Sequence, residues 1–123
     1  MEKVVLLYNF DKTRLQLVRK ALAPLNTVIR TVAKKDYVQP VGYLVGADGI
    51  APIKSKNTTE TFDDEMLVMY GFGEEMIDVL IMALRMGGVG KIDLKAIITP
   101  SNIGWDSVKL YKEIKADHLA MNR

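Results

Sequence analysis

Asn9, Asp11, Gly71, Phe72, Thr99, Ser101, Asn102 and Trp105 are the residues whose types and positions suit them to hold a ligand. They fall just past three apolar runs that read as β-strands, and in open α/β sheets ligands bind in the crevice beyond the strand carboxyl ends. Thr99 and Asn102 supply hydrogen-bonding side chains a few residues ahead of the indole of Trp105. An aromatic face with a few polar groups beside it suits a small polar ligand. Catalysis there would fall to Asp11, Tyr70, Thr99 and Asn102, and Asp11 would need a raised pKa to act as a base near neutrality. The competing structural reading is simpler. Asp11 caps a helix, the glycines make a turn, Thr99 to Asn102 punctuate a loop, and Trp105 plugs the sheet edge.

Composition removes several chemistries. The chain has 123 residues, no cysteine and a single histidine, His118. Disulfides, thiolate catalysis, iron–sulfur clusters, histidine metal cages and a Ser-His-Asp triad are therefore excluded, and neither a metal nor a cofactor is expected. Gly71-Phe72-Gly73-Glu74-Glu75-Met76 begins like a phosphate-binding loop, but Met76 takes the place of the third glycine. The two glutamates would also repel a phosphate at the helix start. A phosphoacceptor receiver needs an aspartate where Tyr70 or Gly71 stands. Net charge is +2, from 17 basic and 15 acidic residues spread along the chain, which argues against nucleic acid as a partner. His118 falls within an apolar helical arc and is expected to pack. Tyr37 and Tyr43, flanking Gly42, would form a ligand wall only if a loop folded over them.

These residues need a frame to position them. Val4 to Tyr8 and Met66 to Tyr70 are continuously apolar, as strands buried on both faces are, so both are expected at the centre of a sheet. Thr27 to Val32, interrupted by Arg30, and Leu94 to Thr99, closed by Pro100, read as edge strands. Asp11 can cap a helix carrying Leu15, Val18, Leu22 and Leu25, with Pro24 marking its end. A short second helix is expected around Val41, Leu44 and Val45, with Pro40 in its first turn and Asp36 as a cap. Glu74 to Met86 carries Ile77, Leu80, Ile81 and Leu84 on one stripe and stops at Gly87-Gly88. Asp106 can cap a last helix with Leu110, Tyr111, Ile114, His118 and Met121 on one arc and a Lys109–Glu113 pair opposite. Residues 47–64 show no period and read as a long, mobile loop.

The order β-α-β-α-β-α-β-α predicts a single α/β domain over 1–123, a small three-layer, doubly wound, four-stranded, mainly parallel sheet of order 2-1-3-4. Right-handed crossovers in such a sheet place the first and last helices on one face and the middle two on the other. A ferredoxin-like α+β sheet of order 4-1-3-2 is the alternative.

Four segments carry a resemblance to a known family. They are Leu6-Leu7-Tyr8-Asn9-Phe10, Gly42-Tyr43-Leu44-Val45-Gly46, Glu65 to Phe72, and Asp93 to Asn102 followed by Trp105. With these segments the chain resembles an uncharacterised bacterial domain-of-unknown-function family found mainly in anaerobic Firmicutes. The resemblance implies kinship without an assigned activity, and it carries over no catalytic residue.

The function expected is that of a small cytoplasmic binding or regulatory domain rather than an enzyme. It is expected to be a homodimer and to recognise a small molecule or a protein partner at the strand ends. A small enzyme using carboxylates and hydroxyls is the second reading. The third is a structural interaction module built on a large exposed apolar patch, either on the last helix or on the Met-rich one that carries Met82 and Met86. No apolar run reaches the roughly 18 residues of a membrane span.

Overall fold

The computed structural model of the chain describes residues 2–54 and 60–121. Its elements are β1 (Val4–Tyr8), α1 (Lys12–Leu22), β2 (Val28–Thr31), α2 (Val41–Leu44), β3 (Met66–Tyr70), α3 (Glu74–Met86), β4 (Leu94–Ile97) and α4 (Ser107–Met121). Short 3₁₀ turns at Ala23–Leu25 and Lys34–Asp36 complete the connections. The strands form one sheet in the expected order, β2-β1-β3-β4. The two all-apolar runs are its centre, because only residues that can be buried on both faces tolerate that place.

The sheet is mixed. β1 and β2 are parallel, as are β3 and β4, but β1 and β3 run antiparallel. This one reversal corrects the expected helix placement. β1-α1-β2 moves outward on one side and β3-α3-β4 moves outward on the other. Because the second unit also runs in the opposite direction, right-handed crossovers bring both helices to the same face. Accordingly, α1 and α3 pack together over Val5, Leu7, Leu67 and Met69, contributing Val18, Leu22, Leu80 and Leu84. α2, α4 and the chain around Tyr37 and Phe62 cover Val4, Leu6, Tyr8, Met66 and Val68 on the other face. The layers are three, as expected, with α1 and α3 on one side and α2 and α4 on the other.

The arrangement has an approximate two-fold axis normal to the sheet. It passes through the Leu6–Val68 pair, and around it Val4 faces Tyr70 while Tyr8 faces Met66. The halves match well beyond the strands. The bond from Val32 N to Leu7 O (3.1 Å) has its counterpart from Ile98 N to Met69 O (2.9 Å). The turns that follow also agree. Asp36 N donates to Ala33 O and Gln39 N to Asp36 O, as Asn102 N donates to Thr99 O and Trp105 N to Asn102 O. Pro40 and Asp106, which precede α2 and α4, pair with each other across the axis. The chain is thus two βαβα halves, and the internal similarity of Leu6-Leu7-Tyr8-Asn9-Phe10 and Val68-Met69-Tyr70-Gly71-Phe72 is its trace in sequence.

The two expected aspartate caps of the long helices form, while the signals read around α2 and at the end of α4 shift. Asp11 Oδ1 accepts from Arg14 N at 2.8 Å and starts α1, and Asp106 Oδ1 accepts from Lys109 N at 2.8 Å and starts α4. Asp36 lies in a 3₁₀ turn and Pro40 takes the cap position of α2. Lys109 lies over the Trp105 ring, 4.5 Å from its centroid. Met121 is exposed rather than part of the packed arc of α4.

Candidate functional site

The antiparallel pairing divides the sequence-derived site between two opposite edges of the sheet. Asn9 and Asp11 follow β1 and lie beside the amino end of β3, whereas Gly71, Phe72, Thr99, Ser101 and Asn102 gather at the carboxyl ends of β3 and β4. The expectation that all eight residues share one edge required β1 parallel to β3. Asp11 is therefore separated from Tyr70, Thr99 and Asn102 by the length of the strands.

At the β1 edge, the side chains are spent on structure. Asn9 has φ +63°, a left-handed conformation that asparagine tolerates better than most residues. Its Nδ2 donates to Phe62 O (2.8 Å) and Asp64 O (3.0 Å), and its Oδ1 accepts from the Tyr37 hydroxyl (3.0 Å). These bonds fasten the end of the long loop over β1. Phe62 is 5% exposed. Its ring stacks on Tyr37 (4.6 Å between centroids) and on Tyr111 (4.0 Å) and tilts against Tyr8 (5.5 Å). Beneath it the Tyr8 hydroxyl meets Ser107 Oγ at 2.7 Å, and burial holds that phenol well above the usual tyrosine range. The loop expected to be mobile is thus anchored at this end; its centre, residues 55–59 with the Asn57-Thr58-Thr59 tract, lies outside the described residues.

Charged groups ring this filled seat. Lys34 pairs with Asp63, Lys112 with Glu60 at 2.7 Å, and Arg14 with Glu65 at 2.6 and 3.0 Å. Asp64 Oδ2 accepts from the Tyr111 hydroxyl at 2.6 Å and from Lys115. The bond from Lys115 and that from Tyr111 together hold the Asp64 carboxyl below the usual carboxylate range, and Lys115 is raised in turn. Next to them a cleft of about 360 Å³ is lined by Asp64, Glu65, Lys91, Asp93, Leu94, Lys115, His118 and Leu119. Sequence reasoning placed His118 in packing and did not see this cleft. The Asp64–Lys115 pair, with the Tyr111 hydroxyl, ties the loop end to α4. No metal-ligating cluster occurs among the described residues.

The β3/β4 edge is different. A groove of about 600 Å³ opens there, lined by Tyr70, Gly71, Phe72, Gly73, Ile97, Ile98, Thr99, Pro100 and Ile103. Gly71 has φ +81°, and a Cβ there would come within 2.6 Å of Glu2 O, so this turn accepts only glycine. Asn102 does not face a ligand. Its Oδ1 accepts from Thr99 N (2.8 Å) and its Nδ2 donates to Ile97 O (3.0 Å), which shapes the turn below the groove. Trp105 packs into the α2/α4 side of the core and its carbonyl accepts from Val41 N (2.8 Å), so it stands outside the groove. Ser101 is exposed in the same turn. Of the eight residues, Gly71, Phe72 and Thr99 line the groove.

The remaining lining residues were not read from sequence as a site, except Tyr70. Comparing the two Tyr-x-Phe segments would have pointed to them, because the groove opens at the sheet edge equivalent to the one where Phe62 packs. Tyr70 corresponds to Tyr8 and Ile103 to Tyr37, two of the three rings packed against Phe62; the third, Tyr111, has no counterpart in the groove lining. Ile50 and Ile103 both crowd the bare backbone of Gly42, where an added Cβ would meet them at 3.0 and 2.6 Å.

No curated protein and no solved structure matches the chain. No helix of the described residues is long and apolar enough to cross a membrane. A family model does match, over residues 65–121, and it corresponds to the second βαβα half; the segments at 6–10 and 42–46 lie outside it. That half of the chain is similar to an uncharacterised family described as a domain of unknown function (DUF3783).

Proposed function

We propose that the protein is a non-enzymatic binding module, cytoplasmic and bacterial, that engages a protein partner through the groove at the carboxyl ends of β3 and β4. The observation that carries this reading is the groove's lining. Tyr70, Phe72, Ile97, Ile98 and Ile103 present apolar surface, and Ile97 is 41% exposed on an edge strand. Apolar side chains left open in a concave surface mark interaction sites. A small polar ligand is the weaker alternative, because the amide of Asn102 is consumed by its own turn and Asp11 by its helix. The enzyme reading loses its carboxylate for the same reason. The absence of cysteine suits a reducing compartment. The bacterial assignment rests on the family resemblance of the sequence.

A second reading, self-association, is favoured by the outer stripe of α3. Val79, Met82 and Met86 are exposed on successive turns, Met86 by 81%.

Site-specific photocrosslinking in cells separates the two readings. A photoreactive residue replacing Ile97 should give a discrete adduct with another protein, while one replacing Met86 should not. Adducts from position 86 alone, or between copies of the chain, would overturn the groove reading.

A further inference from the structure

We propose that the open groove is a seat for an aromatic side chain carried on a basic polypeptide segment of a partner. This rests on the groove reading above and names its occupant. The two-fold relation between the halves supplies the comparison. In the first half, the ring of Phe62 enters between Tyr8, Tyr37 and Tyr111, and the backbone around it is held by Asn9. The same strand ends and the same turn recur in the second half, where Tyr70 and Ile103 stand in the places of Tyr8 and Tyr37. There the space is a groove of about 600 Å³. One chain therefore shows both what this architecture accepts and a second version of it that stays open among the described residues.

Charge decides the flanks of the occupant. The segment that fills the first seat is acidic, with Glu60, Asp63 and Asp64 around Phe62, and it meets lysines 34, 112 and 115. In the second half those lysine positions have no basic counterpart. Pro100 stands where Lys34 does, and α2 has ended before the positions corresponding to Lys112 and Lys115. Lys12, at the start of α1, is replaced by Glu74, and exposed Glu74 and Glu75 directly follow the groove-lining Gly73. With those lysines missing and Glu74 and Glu75 exposed next to Gly73, the complementary segment carries lysine or arginine beside its aromatic residue.

The test is fluorescence polarisation on the full chain with three labelled hexapeptides: Gly-Lys-Phe-Lys-Lys-Gly, the same peptide with alanine for phenylalanine, and the same peptide with glutamate for lysine. The first should bind saturably. Each replacement should weaken binding at least about tenfold, the scale of losing one interface anchor. Ile97→Lys and Glu74→Lys should each reduce affinity for the first peptide while leaving the amide spectrum of the free protein folded. Equal binding of all three peptides, abolished by Ile97→Lys, would overturn the aromatic and basic assignment and leave the groove reading intact. Absence of peptide binding alongside a protein adduct from position 97 would do the same. Absence of both would overturn the two together.

Discussion

Tyr8 and Ser107 join the two halves by one hydroxyl pair at 2.7 Å in a place with no exposure. Tyr8→Phe leaves the Ser107 hydroxyl buried without that partner, and is expected to cost about 1–3 kcal/mol in urea unfolding. Asp64 works by charge instead. Its carboxyl titrates below its ordinary value of 3.8, held down by Lys115 and Tyr111, so its contribution is full above that value and is lost as pH falls through the lowered one. Melting temperatures of wild type and Asp64→Asn should therefore differ at neutral pH and converge in acid, by an amount that salt reduces because the pair is partly exposed. An unchanged gap at low pH would mean that packing, not charge, separates them. The roles of Asp11 and Asp106 as caps were legible from type and position alone, because a cap is a local bond three residues long. The role of Asn9 was not, since its partners Phe62 and Asp64 are more than fifty residues away in the chain and nothing local announces them.

At the scale of elements, α3 was legible to its ends because an apolar stripe, acidic first turn and terminal glycine pair all agree. The sheet order followed from the two strands apolar on both faces. The direction of β3 against β1 did not, because burial on both faces is the same for parallel and antiparallel neighbours. That direction decides both which helices share a face and which strand ends share an edge. The anchoring of the loop end was hidden for a related reason: a single aromatic in a polar tract carries no period, yet Phe62 is a core residue. Phe62→Ala should cost about 3–5 kcal/mol, the usual price of emptying an aromatic site, and a change below about 1 kcal/mol would show that the loop end is not part of the core. The exposed α3 stripe is predicted to be solvent-facing. Met82→Lys with Met86→Lys should leave stability within about 0.5 kcal/mol and the sedimentation coefficient unchanged. A fall from dimer to monomer would assign that face to self-association.

For the whole molecule, the two-fold axis through Leu6 and Val68 explains the division of labour. Both halves build the same strand-end seat. The first is closed by the chain itself, with three stacked or tilted ring contacts and a belt of ion pairs, and the second is open among the described residues, with apolar walls and the exposed Glu74 and Glu75 next to Gly73 in sequence. That the matched family region covers the second half alone agrees with this half being a unit of structure. The most direct measurement is a ¹⁵N–¹H correlation spectrum of the full chain titrated with N-acetylphenylalanine amide. The account predicts saturable shifts at Phe72, Ile97 and Ile103, and none at their two-fold counterparts Phe10, Thr31 and Tyr37. Shifts confined to the Asp64–His118 cleft, or shared equally by both halves, would contradict it.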